Sequence, residues 1–92
     1  MTSTVLITGC SSGIGAATVR HFAAQGWNVA ATLRDPAAAH FEDSAGKVAS
    51  FALDVTDPQS VDAAVAQAVE RFGHIDVLIN NAGYGLFGPF ES

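Results

Sequence analysis

Three glycines lie within the eight-residue stretch TGCSSGIG (Thr8–Gly15), directly after the apolar run TVLI. Glycine is costly in ordered structure, so such a cluster indicates that something approaches the backbone too closely for side chains. The residues after the loop have helical spacing, and a glycine turn between a strand and a helix presents backbone N–H groups at the positive end of the helix dipole. The stretch predicts an anion-binding turn, although glycines that serve packing alone would give the same local pattern.

The apolar pattern changes period several times along the chain and predicts alternating strands and helices. The predicted strands are Thr4–Thr8, Trp27–Leu33, Lys47–Val55 and Ile75–Asn80; the predicted helices are Ile14–Gln25, a short one that begins at Asp35-Pro36, and one that begins at Asp57-Pro58 and ends at Gly73. This order predicts an α/β fold with a Rossmann-type doubly wound parallel sheet of about four strands, in the order 3-2-1-4. Residues 1–92 would form a single domain.

Two helices have a predicted apolar face, and the end of the chain has none. The faces consist of Ile14, Thr18 and Phe22 in the first helix, with Val19 and Ala23 beside them, and of Val61, Val65 and Val69 in the last, flanked by Ala64, Ala68 and Phe72. The tail YGLFGPFES shows no clear period, so we expect strand four to be an exposed edge of the sheet.

Composition limits the classes of protein to which the chain can belong. Its 92 residues are 49% hydrophobic and only 14% charged, which favours a folded domain over a disordered chain. The net charge of −5, with four dispersed basic residues, disfavours nucleic-acid binding, and neither an export signal nor a long apolar run is evident. We therefore expect a cytoplasmic protein without a membrane partner, in which the single cysteine, Cys10, is a small filler rather than a reactive thiol.

Histidine placement gives no indication of a metal site. His21, His40 and His74 have neither the spacing of metal ligands nor a partner carboxylate in sequence register. We predict no metal ligands.

The predicted strand order brings two glycine-rich segments together. The ends of strands one and four lie side by side at the point where a 3-2-1-4 sheet reverses direction, and they carry TGCSSGIG and NNAGYG. The glycines at positions 9, 13 and 15 do not follow G-x-G-x-x-G, and the Gly-Lys-Ser/Thr of a nucleoside-triphosphate loop is missing. The pattern favours a site for the diphosphate of a dinucleotide.

TGCSSGIG, LDVTD and NNAG, in this order behind strands one, three and four, resemble the motifs of the short-chain dehydrogenase/reductase family. By this resemblance Gly9 and Gly13 let the cofactor approach, Gly15 lets the helix pack closely, and Asp54 accepts a hydrogen bond from the adenine amino group. Asn81 would steady the central strands, and Gly83 would leave room for the nicotinamide ribose. The cofactor-binding residues it implies are Gly9, Ser11, Ser12, Gly13, Ile14, Gly15, Asp54, Val55, Asn80, Asn81, Ala82 and Gly83.

The end of strand two indicates which nicotinamide dinucleotide binds. An NAD enzyme places Asp or Glu here to accept from the ribose 2′-hydroxyl. In register with the family that position is Leu33, and Arg34 follows it. A guanidinium suits a 2′-phosphate in charge and in geometry, so the sequence favours NADP over NAD, and Arg34 joins the cofactor-binding residues. A solvated surface arginine is the alternative.

The family's reaction is hydride transfer between the cofactor and a carbonyl or alcohol, and its acid is a tyrosine in Tyr-x-x-x-Lys. Here the only tyrosine is Tyr84, with Gly88 four positions later, so no catalytic residue is assigned. We expect the chain to be an inactive N-terminal fragment, the cofactor-binding segment of a longer NADP-dependent oxidoreductase. The full-length protein would act on a small-molecule carbonyl or alcohol and form a homo-oligomer. A non-catalytic dinucleotide-binding or redox-sensing module is one alternative, and an S-adenosylmethionine-dependent methyltransferase is a second.

Overall fold

The computed structural model describes residues 2–10, 13–35, 47–80 and 86–89. Strands and helices alternate along most of this part of the chain. The elements are β1 (Thr4–Thr8), α1 (Gly13–Ala24), β2 (Asn28–Leu33), β3 (Val48–Ala52), α2 (Pro58–Phe72), β4 (Val77–Asn80) and β5 (Leu86–Pro89). The short helix predicted after Asp35 lies outside the described residues.

One five-stranded sheet has the order β3-β2-β1-β4-β5. Strands β1 to β4 are parallel to one another, with Val5 opposite Val29 of β2 and Val77 of β4. The predicted α/β fold and the strand order 3-2-1-4 are confirmed. Because the four strands are parallel, the carboxyl ends of β1, β2, β3 and β4 all lie at the same end of the sheet. This end, where the strands terminate, is called the carboxyl edge below.

Strand β5 corrects the expectation that strand four would be an exposed edge. It pairs with β4 in antiparallel fashion, with Ile79 opposite Phe87. A strand that returns antiparallel needs only a short connection, so residues close in sequence can cover the open edge of β4. The sequence concealed this strand because Gly88 and Pro89 are poor strand formers, and proline is tolerated only where a strand lies at an edge.

Two apolar layers cover the two faces of the sheet. Val5, Ile7, Val29 and Ala31 are buried on the face that packs against α1. The alternate residues Leu6 and Ala30 lie on the face that packs against α2. Every residue of β1 is buried, as expected of a central strand covered on both faces.

The predicted helix faces pack against the sheet, but the most deeply buried residues lie beside the predicted stripes rather than in them. In α1 the buried residues are Gly15 and Val19, whereas Ile14 is 75% exposed. In α2 Ala64 and Ala68 are fully buried, and Val69 is 37% exposed. Small residues let a helix backbone approach the sheet closely, and three of the four buried helix residues are Gly15, Ala64 and Ala68; the fourth is Val19.

The ends of α2 follow the sequence signals. Asp57 is its N-cap and accepts a hydrogen bond from the Gln59 N–H at 3.0 Å, with Pro58 as the first helical residue. Gly73 ends the helix with a left-handed φ of 92°. Both predictions are confirmed. Within the described residues, no helix has the length and apolar composition that crossing a bilayer would require.

Candidate functional site

The glycine loop after β1 is a tight turn held against the start of α1. Gly9 has a φ of 66°, in the left-handed region that favours glycine. A Cβ added to Gly15 would collide with the Gly9 carbonyl oxygen and would lie 2.8 Å from the Cys10 Cα. Both neighbours are backbone atoms, so Gly15 allows the helix to pack directly on the loop.

Gly13 is in a different situation from Gly15. A Cβ built at Gly13 meets no described atom within 4 Å, and its φ is not in the left-handed region. Among the described residues, no contact requires a glycine at this position. Gly13 and the exposed Ile14 lie in the first turn of α1, and the N-terminus of a helix is in general a favourable position for an anion. Ser11 and Ser12 lie outside the described residues.

The other side of the loop is anchored to the ends of β1 and β2. The backbone N–H of Cys10 donates to the Thr32 carbonyl at 3.1 Å, and the Cys10 thiol donates to the Ile7 carbonyl at 3.1 Å. The Thr32 hydroxyl donates to the same Ile7 oxygen at 2.8 Å. Cys10 is fully buried, and burial raises the pKa of its thiol to about 11, so it fills space and is not a ready nucleophile.

A side-chain hydrogen bond joins β1 and β4 where their ends meet. The Thr8 hydroxyl donates to the Asn80 side-chain carbonyl at 2.8 Å, and the two residues are register partners. Thr8 is 4% exposed, so this bond is shielded from water. Sequence reasoning overlooked Thr8, whose position directly before Gly9 was the available signal. The predicted residues Asn81, Ala82 and Gly83 lie outside the described part of the chain.

The ends of β2 and β3 bring the two predicted charged residues together. The backbone N–H of Leu53 donates to the Leu33 carbonyl at 2.9 Å. In the next pair, the Arg34 Nε lies 3.9 Å from the Asp54 Oδ1, with the side chains 75% and 43% exposed. Leu33 itself is only 2% exposed. Arg34 is thus the first side chain after β2 that can meet a ligand at this edge.

Asp54 is fixed by a turn that the sequence did not reveal. Its Oδ1 accepts hydrogen bonds from the Thr56 hydroxyl at 2.6 Å and from the Thr56 N–H at 2.9 Å. These two bonds, with a smaller contribution from the Arg34 charge, hold the pKa of Asp54 below its ordinary value. Asp54 is therefore an ionised hydrogen-bond acceptor at neutral pH.

An apolar cavity of about 180 Å³ adjoins this edge on the face of the sheet that carries α2. It is bounded at the strand ends by Thr8, Asn80 and the half-exposed Val55. The rest of its lining is Leu6, Leu53, Val61, Val65 and Leu78. Of the predicted cofactor-binding residues, Val55 and Asn80 line this cavity.

The opposite end of the sheet holds a contact between a histidine and a carboxylate that sequence reasoning did not foresee. His74 Nε2 lies 2.9 Å from Asp76 Oδ2, and the same oxygen accepts from the Thr4 N–H at 2.8 Å. The expectation that His74 has no partner carboxylate is wrong, because a loop brings residues two apart into contact. Across residues 2–10, 13–35, 47–80 and 86–89, no three His, Cys, Asp or Glu side chains cluster as metal ligands would.

Comparisons with known proteins agree with this geometry. The family model for short chain dehydrogenases matches residues 3–92. The chain is similar to an uncharacterized oxidoreductase of Schizosaccharomyces pombe, with 53% identity over 90 residues that cover 98% of this chain and 30% of that protein.

Solved structures give the same result. A 3-ketoacyl-(acyl-carrier-protein) reductase from Brucella melitensis, complexed with NADH, aligns with a TM-score of 0.72 and 38% identity over 83% of this chain and 32% of that one. A short-chain dehydrogenase from Streptomyces avermitilis gives a TM-score of 0.76 and 36% identity over 90% of this chain and 31% of that one. The chain spans about a third of the length of these relatives. It belongs to the short-chain dehydrogenase family.

Proposed function

We propose that the chain is the cofactor-binding segment of an NADP-dependent oxidoreductase that reduces a carbonyl or oxidises an alcohol in a small-molecule substrate. The observation that carries this proposal is the contrast within the glycine loop. Gly15 is required by packing, whereas the space beside Gly13 is occupied by no described atom of the protein. A glycine at a helix N-terminus that no described contact requires is explained by a diphosphate that approaches the backbone.

The residues around the carboxyl edge suit the parts of a nicotinamide dinucleotide. The diphosphate would lie against the loop from Gly9 to Gly15, in contact with the exposed Ile14. The ionised Asp54 would accept from the adenine amino group beside Val55. Ser11 and Ser12, with the segment from Asn80 to Gly83, would complete the pocket. The relative from Brucella melitensis, which was crystallised with NADH, supports a nicotinamide dinucleotide as the ligand class.

Preference for NADP is inferred from the pair at the end of β2. Leu33 is 2% exposed and contributes to the core beneath α1, so it offers no acceptor to a ribose 2′-hydroxyl. The guanidinium of Arg34 is mostly exposed and lies near Asp54, which is the side where the adenosine would bind. A planar cation in this position matches the charge of a 2′-phosphate.

The bound cofactor would supply hydride transfer. The residues described here bind and orient it, and none of them is assigned a proton-transfer role. We therefore expect the 92-residue chain to bind NADPH without turnover. Sequence encoded beyond Ser92 separates two proposals: a downstream Tyr-x-x-x-Lys supports the enzyme, and a natural stop codon supports a binding module. A cytoplasmic location is proposed from the single, buried cysteine.

Titration of the chain with NADPH, NADH and S-adenosylmethionine tests the ligand. We expect NADPH to bind most tightly, and preference for S-adenosylmethionine would overturn the proposal.

The variant Arg34→Leu tests the choice between the two dinucleotides. It should weaken NADPH binding by about 1–3 kcal/mol and leave NADH binding nearly unchanged, because only NADPH carries the 2′-phosphate. The matched control is Arg20→Leu, which makes the same charge change on the exposed side of α1. Equal losses for both cofactors in Arg34→Leu would show that Arg34 does not recognise the 2′-phosphate.

A further inference from the structure

The two oxygens of the Asp54 carboxylate have different surroundings. Oδ1 accepts two hydrogen bonds from Thr56, from the hydroxyl at 2.6 Å and from the backbone N–H at 2.9 Å. The Arg34 Nε approaches the same oxygen at 3.9 Å. Among the described residues, no donor contacts Oδ2. The carboxylate is therefore anchored through one oxygen and open at the other.

The backbone around Asp54 is held as firmly as its side chain. The Asp54 N–H donates to the Ser60 hydroxyl at 2.8 Å, and the Asp57 N–H donates to the Asp54 carbonyl at 3.0 Å. The terminal torsion of an aspartate side chain is otherwise broad, so an unanchored carboxylate would sample many orientations. With the main chain fixed at both its N–H and its carbonyl, the bonds from Thr56 select one orientation of the carboxylate.

We propose that Thr56 is a positioning residue for adenine recognition. By occupying Oδ1 it directs Oδ2 toward the 6-amino group of the bound dinucleotide's adenine ring. This inference rests on the proposed function, because it requires a dinucleotide at the carboxyl edge. It adds a consequence for specificity: an anchored carboxylate favours an amino group at position 6 over a carbonyl, since a carbonyl would place two acceptors against each other.

A purely structural role for Thr56 is the competing explanation. The turn after β3 leads into α2, and in this explanation the threonine serves only to start that helix. However, the N-cap of α2 is Asp57, whose own side chain accepts the Gln59 N–H. The Thr56 hydroxyl takes no part in that cap, because it donates its hydrogen bond to the Asp54 carboxylate.

The test compares the affinity of the chain for NADPH with its affinity for deamino-NADPH, in which a carbonyl replaces the 6-amino group. For the unmodified chain we expect a preference for NADPH of about tenfold, the size of one hydrogen bond to a charged acceptor. Thr56→Val keeps the side-chain shape and the backbone N–H but removes the hydroxyl. Thr56→Val should reduce the preference for NADPH over deamino-NADPH to about threefold or less. Thr56→Ser, which keeps a hydroxyl, should have the full preference.

Asp57→Ala is the matched control for stability. It removes the cap one residue away, so it should lower the Tm without changing the ratio of the two affinities. Since Thr56 is exposed, Thr56→Val is expected to fold, and Thr56→Ala serves as a second variant that removes the same hydroxyl.

The outcomes separate this inference from the proposed function. If the unmodified chain binds neither dinucleotide, the proposed function fails and the inference fails with it. If it prefers NADPH and Thr56→Val keeps the full preference, the function stands and the positioning role is refuted. A reduced preference in Thr56→Val and Thr56→Ala, with recovery in Thr56→Ser, supports the role. A preference that falls equally in Asp57→Ala would show general disruption of the turn and overturn the inference.

Discussion

Replacing Gly15 with alanine tests how the glycine loop is built. The new Cβ would collide with the Gly9 carbonyl oxygen and lie 2.8 Å from the Cys10 Cα and 2.9 Å from the Gly9 carbonyl carbon. All three are backbone atoms, and the loop is held by the bond from the Cys10 N–H to the Thr32 carbonyl. Overpacking of this kind costs about 1–3 kcal/mol or more, and the higher helix propensity of alanine returns at most about 1 kcal/mol. Because three backbone atoms lie within 3 Å of the new Cβ, we take the upper end of this cost, and after the propensity gain is subtracted we expect a net loss of about 2 kcal/mol.

Urea unfolding followed by circular dichroism measures this loss, which corresponds to about 4–8 °C in Tm for each kcal/mol. The control is Gly13→Ala, two residues away in the same helix turn. Its Cβ meets no described atom within 4 Å, so its stability should be unchanged or raised by up to about 1 kcal/mol. Its NADPH affinity should fall about tenfold, because the methyl group occupies space proposed for the diphosphate. A Gly15→Ala protein as stable as Gly13→Ala would refute the packing account of the loop.

Three further substitutions test other contacts. Thr8→Val should cost about 1 kcal/mol in the free energy of unfolding, because the Asn80 side chain loses a shielded donor, and Thr8→Ser should not. Asp57→Ala should cost about 0.5–2 kcal/mol by removing the cap on the Gln59 N–H; an unchanged urea midpoint would contradict this role. The raised pKa of the Cys10 thiol means that its protonated form stabilises the fold below about pH 9, and this contribution declines as the pH rises toward about 11. Stability should therefore fall more steeply over that range than in Cys10→Ala, and parallel pH profiles would exclude the effect.

The sequence predicted the parts of the fold that depend on local signals. The β1 run TVLIT gave its strand bounds, and Asp57-Pro58 and Gly73 gave both ends of α2. These signals are readable because strand pattern, capping and left-handed glycine conformation each involve residues close in sequence. The alternation of strands and helices along the chain then favoured the strand order 3-2-1-4 for the parallel part of the sheet, and the structure has this order.

The sequence placed the apolar side of both helices but did not predict which residues in them are most deeply buried or how the site is tied together. Val69 and Ile14 fit the apolar spacing, yet Ala64 and Gly15 lie at the contacts, because close approach to the sheet favours the smallest residue in each turn.

The amino-acid sequence by itself determined the order of the elements, the place of the glycine turn and the membership of the family. Tertiary structure alone decided that Thr8 bonds to Asn80, which is 72 residues away, and that the Thr56 turn leaves one oxygen of Asp54 open. The reason is physical: local patterns specify what each segment can form, whereas a side chain's partners depend on which segments the sheet places side by side.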